Sequence, residues 1–238
     1  MKLFVLAIGV HPDDVELSAS GTLINEVRKG NAAGVLDLTE GELGTRGTVE
    51  TRYAEAAKAA EVMGLSVREN LCMRDGFFKN DEEHQMKVIQ AIRKYQPEIV
   101  LANSIIDRHP DHGNAGKLVA DACFLAGLQK IETQFDGKTQ EAYRPRLVLH
   151  YIQDYYIQPD IAVDVSAFTD AKIKVIQSYK SQFFDPQSSE PNTPISGEEF
   201  FDFLKGRMMT VGRPFGAKYA EGYTISRVLG VSDLFQLL

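Results

Sequence analysis

Two short segments concentrate side chains that can hold a metal ion or move a proton: His11-Pro12-Asp13-Asp14-Val15-Glu16 and Asp107-Arg108-His109-Pro110-Asp111-His112. Together they contain three of the five histidines in the chain. A catalytic zinc takes three N/O ligands from protein and keeps a further position open for water. His11 and Asp14 flank a proline-containing turn into a helix, a spacing that lets both converge on one ion, and His112 can supply the third ligand. Asp13 is then left beside the ion as a carboxylate able to accept a proton from water, whose pKa the metal lowers. His109 would lie across the same centre, where as an imidazolium it could stabilise an oxyanion or protonate a leaving group. Asp111 could keep that ring charged. Packing offers a competing account, because Asp is a favoured helix cap and Pro suits a first turn. Either segment alone could be no more than a helix start. Two matching His-Pro-Asp segments, with histidines that no cap requires, favour the metal. Two histidines and a carboxylate with open positions suit zinc, and ferrous iron is the alternative.

Each segment follows an apolar run that must position it. Residues 3–10 are continuously apolar, as in a strand buried on both faces of a parallel sheet. Asp13-Asp14 then opens an apolar-periodic helix over residues 15–28, with Leu17, Ile24 and Val27 on one face, and Gly30 stops it. There follow a strand at 33–38, a helix at 50–63 closed by Gly64, a short strand at 70–73, a helix at 82–95 and a buried strand at 98–102. Residues 115–128 and 167–181 read as helices, and 147–152 and 161–165 as strands. Residues 185–197, rich in Ser, Pro and Asn, read as a loop near the site or an interface. This alternation predicts an α/β fold: a Rossmann-like, mostly parallel sheet with helices on both faces. Right-handed crossovers bring the ends of 3–10 and 98–102 to one carboxyl edge, where such sheets carry ligands. No repeat or composition break divides the chain, so residues 1–238 read as one domain.

The 238 residues are 44% hydrophobic and 25% charged, an ordinary globular balance. A net charge of −7 argues against nucleic acid or an anionic membrane as partner, though a local arginine cluster could still bind an anionic substrate. The N-terminal apolar run is too short for a signal peptide or a membrane span, which predicts a cytoplasmic protein. Cys72 and Cys123 form no CxxC motif, sit in apolar surroundings and read as buried thiols. His84, in a charged helix start, and His150, within a strand, read as surface or core residues. A nucleotide-binding module would want a G-x-G-x-x-G turn after the first strand, and His-Pro-Asp-Asp stands there instead.

GVHPDDVE at residues 9–16 and HPDH at 109–112 resemble the two signatures of the LmbE/PIG-L family of zinc deacetylases. DLTEGE at 37–42, GTVETR at 47–52 and the helix at 54–64 follow in family order. YKSQF at 179–183 and YAEGY at 219–223 resemble the subgroup that deacetylates N-acetylglucosaminyl malate in bacillithiol biosynthesis. The resemblance implies zinc on His11, Asp14 and His112, Asp13 as general base, and His109 oriented by Asp111. It also implies that Arg146 pairs with that aspartate. Arg52 would contact the sugar or its acidic aglycone, where local reading alone leaves a solvated helix charge open. Glu16 is either a hydrogen-bond acceptor behind the metal or a first-turn acid favoured by the helix dipole. Some members bring a tyrosine hydroxyl to the reacting carbonyl. The matching stretch here, Glu198-Glu199-Phe200-Phe201-Asp202, has none, and no tyrosine is assigned. The implied reaction is hydrolytic removal of an N-acetyl group from a small GlcNAc conjugate, GlcNAc-malate first. A chito-oligosaccharide or mycothiol-type conjugate is the alternative, and a two-metal phosphoester hydrolase, which needs more ligands, a more distant one. Family members often form homo-oligomers, with a hexamer among the forms expected.

Overall fold

The computed structural model describes residues 1–237. In chain order its first half runs β1 (Val5–Gly9), α1 (Asp14–Arg28), β2 (Ala33–Thr39), α2 (Val49–Met63), β3 (Val67–Met73), α3 (Glu82–Tyr95) and β4 (Ile99–Ala102). The second half runs α4 (Pro110–Leu125), β5 (Gln134–Phe135), β6 (Lys138–Thr139), β7 (Leu147–Tyr151), β8 (Ile161–Asp164), α5 (Thr169–Ile176), α6 (Phe200–Gly212) and β9 (Ala220–Thr224). Seven strands form one sheet in the order β3-β2-β1-β4-β7-β9-β8, with β5 and β6 as a separate hairpin. β3, β2, β1, β4 and β7 pair in parallel, and β9 is antiparallel to both of its neighbours.

The apolar run at β1 has no polar face because both of its faces are covered. Val5 and Ala7 pack into a core with α1, α2, α5 and α6, whereas Leu6 and Ile8 pack into a second core with α3 and α4. This is the expected mostly parallel α/β architecture with helices on both sides. Local chemistry sets several helix ends. The Thr48 side chain accepts from Thr51 N at the start of α2, and Gly64 ends that helix with φ 72°.

Four features differ from the sequence expectations. α4 begins at Pro110, five residues early, because His109 caps it and proline fits its first turn. α5 ends at Ile176 because the following residues are drawn elsewhere: Tyr179 donates to Glu16, and Ser181 to Glu55. α6 and β9 were not expected as elements, since β9 (AEGYT) carries Glu and Gly where strands favour branched and aromatic residues. Cys72 is exposed, at the end of β3 where the register shifts, while Cys123 is buried as expected. His150 lies in the core and bonds through Nδ1 to the Asn103 carbonyl at 2.8 Å. Residues 185–197 form an irregular loop, as read. Among the described residues no helix is long and apolar enough to cross a membrane.

Candidate active site

After β1 the chain builds outward through β2 and β3 on one side, then returns through β4 and β7 on the other. The crossovers therefore diverge at the carboxyl ends of β1 and β4 and leave a crevice there. A cavity of about 310 Å³ occupies it, lined by His11, Asp13 and Asp14 after β1, by His109 and His112 after β4, and by Arg52 from α2.

His11, Asp14 and His112 each offer a ligand atom, all within 4.8 Å of one another. His112 Nε2 lies 3.1 Å from Asp14 Oδ1, and His11 Nδ1 lies 3.7 Å from Asp14 Oδ2. The Asp14 carboxylate accepts from Val10 N and His11 N, each at 3.1 Å, from Asn103 Nδ2 at 3.0 Å and from Gln153 Nε2 at 3.1 Å. Carboxylates also stand behind the rings. Asp107 Oδ2 is 2.5 Å from His112 Nδ1, and Asp75 Oδ1 is 3.0 Å from His11 Nε2. Such partners fix ring orientation and raise ligand basicity.

Burial opposes charge on His112, yet Asp14 and Asp107 outweigh it and raise the ring to about 10. His11 is likewise raised against burial, mainly by Asp75 and Asp14. Burial also works against the Asp14 carboxylate, but His112 and His11 hold it well below the usual range. A field that binds protons this firmly suits a divalent cation, and three clustered N/O donors fit one. A second group, His11, His109 and Asp111, meets the same spacing but shares His11 with the first.

Asp13 caps α1 with φ 133°, a region a side chain adopts only under strain. Its carboxylate is buried but makes no hydrogen bond among the described residues, so its lone pairs stay free. Burial pushes it up to about 7, opposed first by the positive charge of Arg52. Arg52 is 6% exposed and donates through Nη2 to Gln182 Oε1 at 2.6 Å, so it is not a solvated helix charge. It lies against Gly41 and Gly44, where a Cβ would come within 2.6 and 2.4 Å of its guanidinium nitrogens.

Three expectations are corrected. The Asp111 carboxylate does not bond His109. It accepts from Gly76 N at 2.9 Å and lies 3.8 Å from His11 Nε2, while the Asp111 backbone N–H donates to His109 Nδ1 at 3.3 Å. Nor is His109 favoured as an imidazolium, because burial and the neighbouring His11 and His112 push its pKa down despite Asp111. With Nδ1 accepting, the neutral ring carries its proton on Nε2. Arg146 is outside the site altogether. It precedes β7 at the amino edge of the parallel strands, its side chain is 84% exposed, and its nearest partner is Glu98 at 3.8 Å.

Glu16 is fully buried behind the metal trio, accepting from Arg68 Nη1 and from Tyr179 Oη at 2.8 Å. Asp75, Asn103, Asp107 and Gln153 were not assigned from sequence. Each lies a few residues beyond the carboxyl end of a strand, and that placement was the available signal. Arg207 reaches the cavity from α6 without any such signal. Among the described residues no tyrosine lines the cavity.

The family described as PIG-L, GlcNAc-PI de-N-acetylase, matches residues 6–123, which span both motifs. Diacetylchitobiose deacetylase of Thermococcus kodakarensis is 28% identical over 229 residues, covering 92% of this chain and 81% of that protein. The 4-oxalmesaconate hydratase of Pseudomonas putida is 26% identical over 193 residues, covering 74% and 73% respectively. Among solved structures, the conserved protein TT1542 from Thermus thermophilus is 34% identical with a TM-score of 0.85, covering 97% of this chain and 98% of that one. Motifs, fold and whole-length likeness converge, and the chain belongs to the PIG-L (LmbE-like) family.

Proposed function

We propose that this protein is a metal-dependent amide hydrolase that removes the N-acetyl group from an N-acetylglucosaminyl conjugate, with GlcNAc-malate as the first substrate to test. The observation that carries the reading is the His11–Asp14–His112 trio, gathered around the buried Asp14 carboxylate, with the unpartnered Asp13 carboxylate beside it in one cavity. A zinc or ferrous ion on that trio would supply Lewis acidity toward the amide carbonyl and toward water. Asp13 takes a proton from the attacking water, and its free lone pairs suit that task. His109 donates a hydrogen bond through Nε2 to the carbonyl oxygen as negative charge develops there. The proton held on Asp13 passes to the leaving nitrogen, so amide and water become acetate and a free amine. Arg52 sits beside Asp13 and offers its charge to the sugar or its substituent. Asn103, Asp107, Asp75 and Gln153 keep the ligands aimed.

The likeness to a hydratase makes water addition to a carbon–carbon double bond the competing chemistry for the same ion and base. Metal analysis should be combined with an amine- and acetate-release assay on GlcNAc-malate, diacetylchitobiose and plain GlcNAc. One ion per chain with equimolar amine and acetate is expected. Metal-loaded protein that releases acetate from none of these would remove the reading.

A further inference from the structure

Arg52 lines the cavity from α2, and Glu55 stands one turn further along the buried face of the same helix. Opposite charges three residues apart on a helix ordinarily pair with each other. Here they do not. Arg52 Nη2 donates to Gln182 Oε1 at 2.6 Å, Gln182 Nε2 donates to Ser181 Oγ at 2.9 Å, and Ser181 Oγ donates to Glu55 Oε2 at 2.7 Å. Cation and anion are thus joined through neutral side chains, with every proton donated in the same direction.

The Gln182 amide cannot turn over. Its Nε2 also donates to the Arg46 carbonyl at 2.8 Å, so exchanging N and O would set acceptor against acceptor there and donor against donor at Arg52. Gln182 is 5% exposed, and its backbone carbonyl accepts from Arg46 Nη1 at 3.4 Å. The loop at 40–48 closes on this chain through glycines at every third position. A Cβ on Gly41 or Gly44 would strike the Arg52 guanidinium, and one on Gly47 would come within 2.8 Å of Ser181 Oγ. Two segments far apart in sequence are therefore shaped around one placement of one arginine.

The neutrality of the contact has an electrostatic consequence. A carboxylate in place of the Gln182 amide would also accept from the guanidinium, but it would cancel the charge. An amide oxygen fixes the direction and leaves the charge in force. Among the described residues the bond to Gln182 is the only hydrogen bond of that guanidinium, so its other N–H groups remain for what enters the cavity.

We infer that Gln182 is a positioning residue for the reaction: it holds the Arg52 guanidinium at the cavity without neutralising it, so that the charge meets substrate in a fixed direction. This rests on the reading in which Arg52 contacts the sugar or its substituent, and its test separates the two.

Gln182→Met keeps the length of the side chain and removes its hydrogen bonds. In metal-loaded protein it should raise KM for the N-acetylglucosaminide turned over fastest by about 10-fold and change kcat far less. Gln182→Glu should lower kcat/KM at least as much, because it retains an acceptor but cancels the charge. A double-mutant cycle decides whether Gln182 acts through the arginine. In an Arg52→Ala background, Gln182→Met should leave kcat/KM within about twofold. An equal loss in both backgrounds, or a wild-type KM in Gln182→Glu, would overturn the assignment. Nitrogen-15 NMR of the arginine side chains reads the positioning without turnover. The Arg52 Nη signals, identified by their absence in Arg52→Lys, should be separate in wild type and averaged by rotation in Gln182→Met. Separate signals in Gln182→Met would equally overturn it. If no substrate releases acetate, the deacetylase reading fails, and the NMR still decides the positioning. Metal content and melting temperature are measured for each variant; should Gln182→Met not fold, Gln182→Asn, too short to reach the arginine, takes its place.

Discussion

Two buried polar clusters lie along α1, and they differ in what is left unpaired. At the far cluster, Glu221 accepts from Gly21 N at 2.9 Å, Thr22 N at 2.7 Å and Lys172 Nζ at 2.6 Å. Lys172 spends its remaining donors on the carbonyls of Glu16 and Leu17, and Tyr223 closes the group through Thr22. Both charged side chains are nearly inaccessible, at 0% and 2%, and their hydrogen-bonding capacity is used within the protein. At the cavity, by contrast, the Asp13 carboxylate and the Ser18 hydroxyl make no hydrogen bond among the described residues, and the half-buried Arg207 guanidinium only stacks over the Phe203 ring. Burial of charge is common to both clusters and so does not mark a site. Unused hydrogen-bonding capacity that faces a cavity does, because only that can be taken up by a substrate.

The sharpest break in this contrast would come from metal removal. Chelation is expected to bring amide hydrolysis to background, and added zinc or ferrous ion to restore it, while circular dichroism keeps the α/β signature. Activity that survives exhaustive chelation would leave the trio without its assigned purpose. Next, Asp13→Ala should keep full metal content and lose about 10²- to 10⁴-fold in turnover. Near wild-type turnover at full metal loading would refute the base. Because Asp13 sits at φ 133°, Asp13→Gly should be equally inactive yet more stable than Asp13→Ala, by about 1–3 kcal/mol in urea denaturation.

The saturated cluster should respond the other way. Glu221→Gln is expected to cost about 3–5 kcal/mol of stability by leaving Lys172 buried without its counter-charge. At temperatures where the variant stays folded, its turnover should remain close to wild type. A large kinetic defect without loss of stability would erase the distinction between the clusters. The smallest effect is expected at Arg146→Ala, within about 0.5 kcal/mol and with unaltered turnover, since that side chain lies at the opposite edge of the sheet.

Much of the site was legible because its signals are local. The β1 run, His11-Pro12-Asp13-Asp14 and His109-Pro110-Asp111-His112 each fit within one strand end and one helix start, and parallel crossovers leave few ways to arrange them. Arg146 misled for the converse reason. Its place in a resemblance says nothing about sheet edge, and it lies just before β7 instead of after it. The Asp111 expectation failed at the level of geometry, because the helix starts at Pro110 and turns the carboxylate toward Gly76 and His11.

From sequence alone came the α/β class, the mostly parallel sheet with two strand ends on one carboxyl edge, the two ligand-bearing motifs and the odd carboxylate left for Asp13. These depend on hydrophobic period, turn residues and ligand chemistry, which neighbouring residues express by themselves. The tertiary structure alone decided which polar groups end with partners. Gly21 meets Glu221 across 200 residues, and Arg207 reaches the cavity from α6, an element the sequence did not announce. Hydrogen-bond saturation depends on the whole packed environment of a group, and no window along the chain contains that environment.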